Sequence, residues 1–414
     1  MILIVNTTSD TAITEELKRS IEENKLEAEI VEAGELKISH CIGCNFCWLK
    51  TPGECSIKDD YEFILKKMVH AEELWVISDT ALGFLDHKGK NIFDRIIPLA
   101  TMNLHFVGKE MRHIPRYDSS PDIGIIYSGE ADKEFLKRWN ERAALNLGSR
   151  SLGVFEKTEV KEAVSCMGGS SFRTQVPVTA GPSADKQGSG TFDSSGQDAG
   201  TLIIINGSPR IKRDSNTDKI LKKFTSGLGE NGVSYKQYEI SDRSEWDEIL
   251  KAYQNNKNIL IALPLYVECI PGLLMEFLET LSPKNDGTRL SFILQGGFAE
   301  GAQLRCGEEY LKILSRRLQC EYAGTLIKGD NFSIRFTGEE EQERITGPYK
   351  QMGSEFSKNM DFNSEECRRF TGVEVFSAPV RIILGIVFKT FAKKRFAQIA
   401  KDLGCSRPVD YRPY

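Results

Sequence analysis

The sequence has little excess charge of either sign. Its 54 Lys and Arg stand against 59 Asp and Glu, a net charge of −5, so the general electrostatic footprint of a nucleic-acid binder is missing. It has no basic n-region and no long apolar segment near its start, which opens directly on Ile2–Val5. A secretory leader is therefore not expected, and a cytoplasmic setting is. The longest apolar stretch near the end, Ile382 to Phe388, is bounded by Arg381 and Lys389 and is too short to span a bilayer. With its basic end at Lys393, Lys394 and Arg395, it reads as a helix packed on the second half of the chain or at a subunit interface, or as one lying on a membrane surface. The ten cysteines do not resemble a secreted disulfide framework, since four crowd between positions 41 and 55. A reducing compartment and a cofactor site suit them better. The glycine-containing loop that follows the apolar run 201–206 is neither the dinucleotide G-x-G-x-x-G nor a phosphate loop, since it has no Gly-Lys-Ser/Thr ending.

What is present is a regular alternation. At 414 residues the chain exceeds one compact domain. Apolar strand patterns at 1–6, 27–32, 74–77, 123–126 and 152–155 alternate with helical spacing at 12–23, 61–71, 93–99 and 135–144. Residues 166–200 are dominated by Ser, Gly, Thr and Asp and read as a linker. A second cycle then predicts strands at 201–206, 234–239, 259–263, 290–294 and 322–327, with helices at 217–229, 244–254, 272–281 and 307–319. The expected fold is α/β: two flavodoxin-like, doubly wound domains, each a five-stranded parallel sheet flanked by helices. The expected boundaries are 1–165, a linker at 166–200, 201–375, and a helical tail at 376–414.

In the second half, the buried run Thr201–Asn206 leads into Gly207-Ser-Pro-Arg210, then Ser215-Asn-Thr217 at the start of a helix. A strand, a Gly/Ser loop and a helix N-terminus together suit an anion, because backbone N–H groups and the helix dipole point at it. An ordinary turn with an N-cap at Ser215 or Asn216 fits the same residues. Two further loops follow predicted strands, Pro264-Leu-Tyr-Val267 and Gln295-Gly-Gly-Phe298. In an open α/β sheet such loops converge at the carboxyl ends of the strands.

On these three motifs the second half resembles the NADPH-dependent FMN reductase family of the flavodoxin-like superfamily. The resemblance implies that Ser208, Arg210, Ser215, Asn216 and Thr217 bind the FMN phosphate. It places Pro264, Leu265, Tyr266 and Val267 beside the isoalloxazine ring, and Gln295, Gly296 and Gly297 on its other side. No protein acid or base is then required, since the flavin carries the hydride chemistry.

The stretch Cys41-Ile-Gly-Cys44-Asn-Phe-Cys47, closed by Cys55, can be read as four thiolates for an iron–sulfur cluster or for zinc, as a redox-active pair, or as structural thiols. It resembles the compact cysteine motif of iron–sulfur flavoproteins, which implies a [4Fe–4S] cluster on Cys41, Cys44, Cys47 and Cys55. The rest of the first half departs from the flavin pattern: its first loop is Asn6-Thr-Thr-Ser-Asp10, and its third loop lacks Pro-x-Tyr. The basic stretch Met111–Tyr117 reads as a solvated loop or as a site for an acidic partner or a cofactor phosphate.

Together these resemblances imply an FMN-dependent oxidoreductase using NAD(P)H as cosubstrate and passing electrons to a quinone, a flavin or an iron–sulfur acceptor. The alternatives are an electron carrier without NAD(P)H turnover and a scaffold whose pockets have decayed. The acceptor would be a small molecule or a protein, and the chain a homo-oligomer or an intrachain pseudo-dimer.

Overall fold

The computed structural model describes residues 1–169 and 201–414. Most of the expected linker, 170–200, lies outside the described residues. The first half runs β1 (Ile2–Asn6), α1 (Thr11–Glu23), β2 (Ala28–Glu32), α2 (Phe46–Leu49), α3 (Tyr61–His70), β3 (Glu73–Ala81), β4 (Phe84–Leu85) and α4 (His87–Asp94). A hairpin, β5 (Ala100–Val107) and β6 (Glu110–Pro115), precedes β7 (Asp122–Ser128), α5 (Lys133–Asn146), β8 (Ser151–Glu156) and α6 (Val160–Ser165). The second half runs β9 (Leu202–Asn206), α7 (Asn216–Glu230), β10 (Tyr235–Glu239), α8 (Trp246–Asn255), β11 (Asn258–Pro264), α9 (Gly272–Leu278), β12 (Arg289–Gln295), α10 (Arg305–Arg317) and β13 (Glu321–Lys328). Helices α11 (Glu339–Thr346), α12 (Pro348–Phe356), α13 (Glu365–Phe370), α14 (Ala378–Val387) and α15 (Lys393–Asp402) complete it.

The two main sheets have the order β2-β1-β3-β7-β8 and β10-β9-β11-β12-β13. All neighbouring pairs along both paths are parallel. In each half this is the 2-1-3-4-5 order of the flavodoxin-like fold, with its switch point between the first and third strands. The expected five-stranded sheets are therefore present, the first with the short β4 added antiparallel to β3. Strand alternation decides which side chains face where. Leu3 and Val5 of β1, with Ile203 and Ile205 of β9, join one apolar cluster that runs through both halves. Their neighbours Ile2 and Ile4 face α1 and α6, and Leu202 and Ile204 face α7 and α12. The halves therefore share a core between their inner faces. Corresponding helices meet there: α4 packs on α9, and α5 approaches α10. Phe84 and Phe135 of the first half lie against Tyr310 of the second.

Two expectations need correction. The helix expected at 93–99 instead ends at Asp94, and Ile97–Leu99 is a 3-10 turn carrying Pro98; proline disfavours a helical conformation at the residue before it. The basic stretch 111–117 is not a solvated loop. It forms most of β6, with Arg112 and Arg116 fully buried. Arg116 donates to the carbonyls of Pro98, Ala100, Cys47, Val409 and Tyr411, so it ties the cysteine loop to the end of the chain.

Helix α7, which starts at the anion loop, is covered by α12 through a glycine crossing. A Cβ on Gly227 would lie 2.0 Å from the Lys350 carbonyl oxygen, and one on Gly353 would lie 2.0 Å from that of Phe224. Backbone cannot yield as a side chain can. Gly227→Ala should therefore gain about 1 kcal/mol of helix propensity and lose more to overpacking, for a net loss of about 1–3 kcal/mol. Urea unfolding measures it, and an unchanged or raised midpoint would contradict the crossing.

Candidate functional site

The carboxyl ends of β9, β11 and β12 open on a cavity of about 400 Å³ between the two halves. Its second-half wall carries Ser208 and Arg210, Asn216 and Thr217, Pro264 to Glu268, and Gln295 to Phe298. All three sequence-identified loops thus converge. Ser215 does not line the cavity: its side chain accepts from the Asp218 N–H as the N-cap of α7, which is the ordinary helix-capping role. Asn216 donates to the Asn331 carbonyl, and Gln295 donates to the Thr217 hydroxyl at 3.4 Å.

The opposite wall is the first half. Cys41, Gly43, Asn45 and Trp48 of the cysteine loop line it, with Met102, Leu104 and His113 of the hairpin and Asn146 and Leu147 at the end of α5. Arg210 joins the two walls. Its Nε donates to the Gly43 carbonyl at 2.8 Å and an Nη to Asn45 Oδ1 at 3.0 Å. Arg335, from the 3-10 turn Phe332–Phe336, donates to the same Asn45 oxygen and to the Cys44 carbonyl. Burial, then the neighbouring Arg210, lowers the Arg335 pKa to about 10. Lys219 is also lowered, by burial first and then by Arg335, with Asp214 acting in the opposite direction. Cations are therefore crowded at the N-terminus of α7, where an anion would relieve their repulsion.

Tyr266 sits at the junction. The residue lines the cavity, and its hydroxyl is buried against Gly43 with no hydrogen-bond partner. Burial pushes its pKa up. A Cβ on Gly43 would fall 1.7 Å from that oxygen, and Gly43 has φ +61°, so this position suits glycine on both counts. The loop beyond Tyr266 is held from the first half. Val267 and Glu268 take positive φ values of 42° and 63°, which is strained for a β-branched residue. Trp139 Nε1 donates to the Val267 carbonyl, and Arg142 and Asn146 bind the Glu268 carboxylate. The buried pair Lys90–Asp94 bridges the halves as well: Lys90 donates to the Tyr266 carbonyl, and Asp94 accepts the Gly272 N–H.

The four cysteines of the loop lie within electrostatic reach of one another. Burial pushes the Cys41 thiol up to about 12, with Asp94 and the neighbouring sulfurs adding to it. Burial and the other three cysteines also raise the Cys47 thiol well above its ordinary range. Two sulfurs accept backbone N–H groups two residues on, Gly43 to Cys41 and Phe46 to Cys44. Arg95 donates to Cys55, and Ser56 Oγ lies 3.2 Å from Cys44 Sγ. Among the described residues, no three His, Cys, Asp or Glu side chains come together to hold a single ion. Cys41 lines the cavity.

Sequence reasoning missed Arg335 and Asp94, and it reached His113 only as part of the basic stretch 111–117. His113 lies 4.3 Å from the Trp48 ring and 5.0 Å from Phe298, centroid to centroid, so an aromatic path joins the Gln-Gly-Gly-Phe loop to the cysteine loop. Burial holds its pKa down at about 4, leaving it neutral. In the first half, the anion-loop position is closed internally. Thr7 donates to the Ile77 carbonyl, Thr8 donates to Asn6 Oδ1, and Asp10 caps α1.

No family model matches the chain. It has relatives among the iron–sulfur flavoproteins. It is 35% identical over 89 residues to one from Methanocaldococcus jannaschii, covering 22% of this chain and 45% of the relative. It is 39% identical over 69 residues to another from Archaeoglobus fulgidus, covering 17% and 33%. The chain thus spans less than half the length of these relatives. Among solved structures, an FMN-dependent NADH-azoreductase from Bacillus anthracis, in complex with FMN, is 16% identical with a TM-score of 0.31, covering 39% of this chain and 99% of that one. General stress protein 14 from Treponema denticola, also in complex with FMN, is 13% identical with a TM-score of 0.30, covering 39% and 99%. Likeness at that level assigns neither site nor activity.

The raised thiols have a measurable consequence in metal-free protein. Alkylation proceeds through the thiolate, so a thiol with a pKa near 12 exposes only about one part in 10⁴ of it at pH 8. Cys41 and Cys47 should resist iodoacetamide at pH 8 while the exposed Cys166 reacts. The Cys41 rate should climb about tenfold per pH unit until near its pKa. Peptide mass spectrometry reads this, and labelling of Cys41 as fast as Cys166 would contradict it.

Proposed function

We propose that the chain is an FMN-dependent oxidoreductase that uses NAD(P)H and passes electrons to a quinone, a flavin or an iron–sulfur acceptor. The observation that carries this reading is the convergence of the three second-half loops and the cysteine loop on one cavity. The residues fit the cofactor. Cations crowd the α7 N-terminus where a phosphate would sit, and Tyr266, whose buried hydroxyl has no partner, lines the cavity beside them. Bound FMN supplies hydride acceptance and one-electron release.

In this reading, Ser208, Arg210, Asn216 and Thr217 hold the phosphate, with Arg335 as a further cation and Ser215 acting through the helix it caps. Pro264 to Val267 and Gln295 to Gly297 flank the ring. Cys41, Cys44, Cys47 and Cys55 hold a [4Fe–4S] cluster. Its support is the close spacing of the four cysteines in one loop and the backbone N–H groups on the Cys41 and Cys44 sulfurs, which in such sites help set the potential. The two halves are domains that form an intrachain pseudo-dimer, with α4 and α5 of one facing α9 and α10 of the other. Relatives named as iron–sulfur flavoproteins support the same pairing of cofactors.

The test combines FMN titration with steady-state oxidation of NADH and NADPH using several acceptors. FMN should bind and be required for turnover. Arg210→Leu should weaken FMN roughly tenfold or more, the usual cost of losing a charge-assisted hydrogen bond. FMN binding without NAD(P)H turnover would leave an electron carrier. Absence of FMN binding, with no thermal shift on adding it, would sink both readings.

A further inference from the structure

The C-terminal helix is the most apolar exposed feature of the molecule. Ala378–Val387, a π-helical turn at Phe388–Ala392, and Lys393–Asp402 follow one another without a break, a rod of about 37 Å. Its far end is anchored: Ile399 packs on Trp48, Leu49 and Met102, and Phe396 lines the cavity. Its near end is not. No residue of α14 is buried, and Ile382, Ile383, Ile386 and Phe391 are 69%, 61%, 61% and 75% exposed. This is no frayed terminus, because Phe388 stacks on Phe106 of the β5–β6 hairpin. The hairpin extends the apolar surface with Val107 and Ile114 and carries the exposed Lys109. The packed part of the helix touches both halves: α15 rests against the first half's cysteine loop, and on the second half Phe396 meets the Phe332 ring and Arg395 donates to the Phe336 carbonyl.

We propose that this helix, with the hairpin tip beside it, lies on the surface of an anionic lipid bilayer. Charge complementarity selects the occupant. Between 378 and 402 there are six basic residues and one acidic, Asp402, in a chain whose net charge is −5. Lys389, Lys393, Lys394 and Arg395 are exposed around the apolar face. An apolar face with a basic flank is the pattern of helices that lie in the interfacial plane, where anionic lipids attract each cation. A second copy docking by the same face would bring these cations against their own equivalents, since a two-fold interface is self-complementary. No helix among the described residues is long and apolar enough to cross a membrane, so the helix lies on the bilayer rather than through it. Because the same helix carries Phe396 into the cavity wall, docking places that wall close to the lipid.

The experiment is flotation of the full chain with vesicles of phosphatidylcholine, alone or mixed with phosphatidylglycerol. Binding to the mixed vesicles that weakens at high salt is the expected result. Lys389→Gln with Lys393→Gln and Lys394→Gln should weaken it roughly 100-fold, from about fivefold per charge. Ile382→Glu with Ile386→Glu and Phe391→Glu should abolish it, and circular dichroism should show the fold kept, since those side chains are exposed. Equal binding by wild type and both variants would overturn the proposal. So would no binding to either vesicle, or a concentration-dependent dimer that the glutamate variant dissolves.

Discussion

A buried ion pair, Lys90 with Asp94, sits at the centre of the junction between the two halves. Both residues lie on α4 with no solvent access. Each also bonds the other half, Lys90 at the Tyr266 carbonyl and Asp94 at the Gly272 N–H. Charges in such a place are tolerable because each meets the other and a backbone dipole; removing one partner of such a pair typically costs about 3–5 kcal/mol. The pair therefore fixes where the third loop of the second half lies. Trp139, Arg142 and Asn146 then hold the strained residues just beyond it. The cavity wall that carries Tyr266 is shaped largely by side chains of the other half.

This division of labour explains the asymmetry between halves of one fold. The second half keeps open strand ends and a cationic helix N-terminus. The first half has turned its own strand-end hydroxyls inward and contributes instead the cysteine loop, the hairpin and helix α5 to its neighbour's site. Arg210 shows the coupling most directly. Its sequence context marks it as an anion ligand, yet its guanidinium also binds the cysteine loop at Gly43 and Asn45. A group bound at either side would be felt at the other through that one side chain, and Trp48, His113 and Phe298 provide a second, aromatic contact between the loops.

Much of the architecture was legible. Buried parallel strands are short apolar runs, and those at 2–5, 202–205, 259–263 and 290–294 stand out whatever surrounds them. The three second-half loops were legible because each combines Gly or Pro with a strand end. Other parts were hidden for physical reasons. The hairpin carries His, Arg and Asn where alternation should show apolar residues, because Arg112 is buried against the Glu110 carboxylate, the Gln303 side-chain oxygen and the Met111 carbonyl, and Arg116 just beyond it is buried among carbonyls. Helix α4 begins at His-Lys-Gly-Lys, which reads as polar surface: Asp94 is only four positions from Lys90, but the Tyr266 carbonyl that shares its burial lies 176 positions away. Arg335 joins the site from a turn with no motif. Ser215 carried two readings, and its hydrogen bond to the Asp218 N–H gives it the cap.

The account's central claim is that one chain places a flavin site and a cysteine-bound cluster on opposite walls of a single cavity. The most direct measurement is an absorbance spectrum of anaerobically purified protein with FMN, iron, zinc and acid-labile sulfide quantified per chain. The account predicts FMN together with iron and sulfide in equal amounts and no zinc, and loss of iron and sulfide but not FMN in Cys47→Ala. Flavin absorbance without iron or labile sulfide, or stoichiometric zinc in their place, would contradict it.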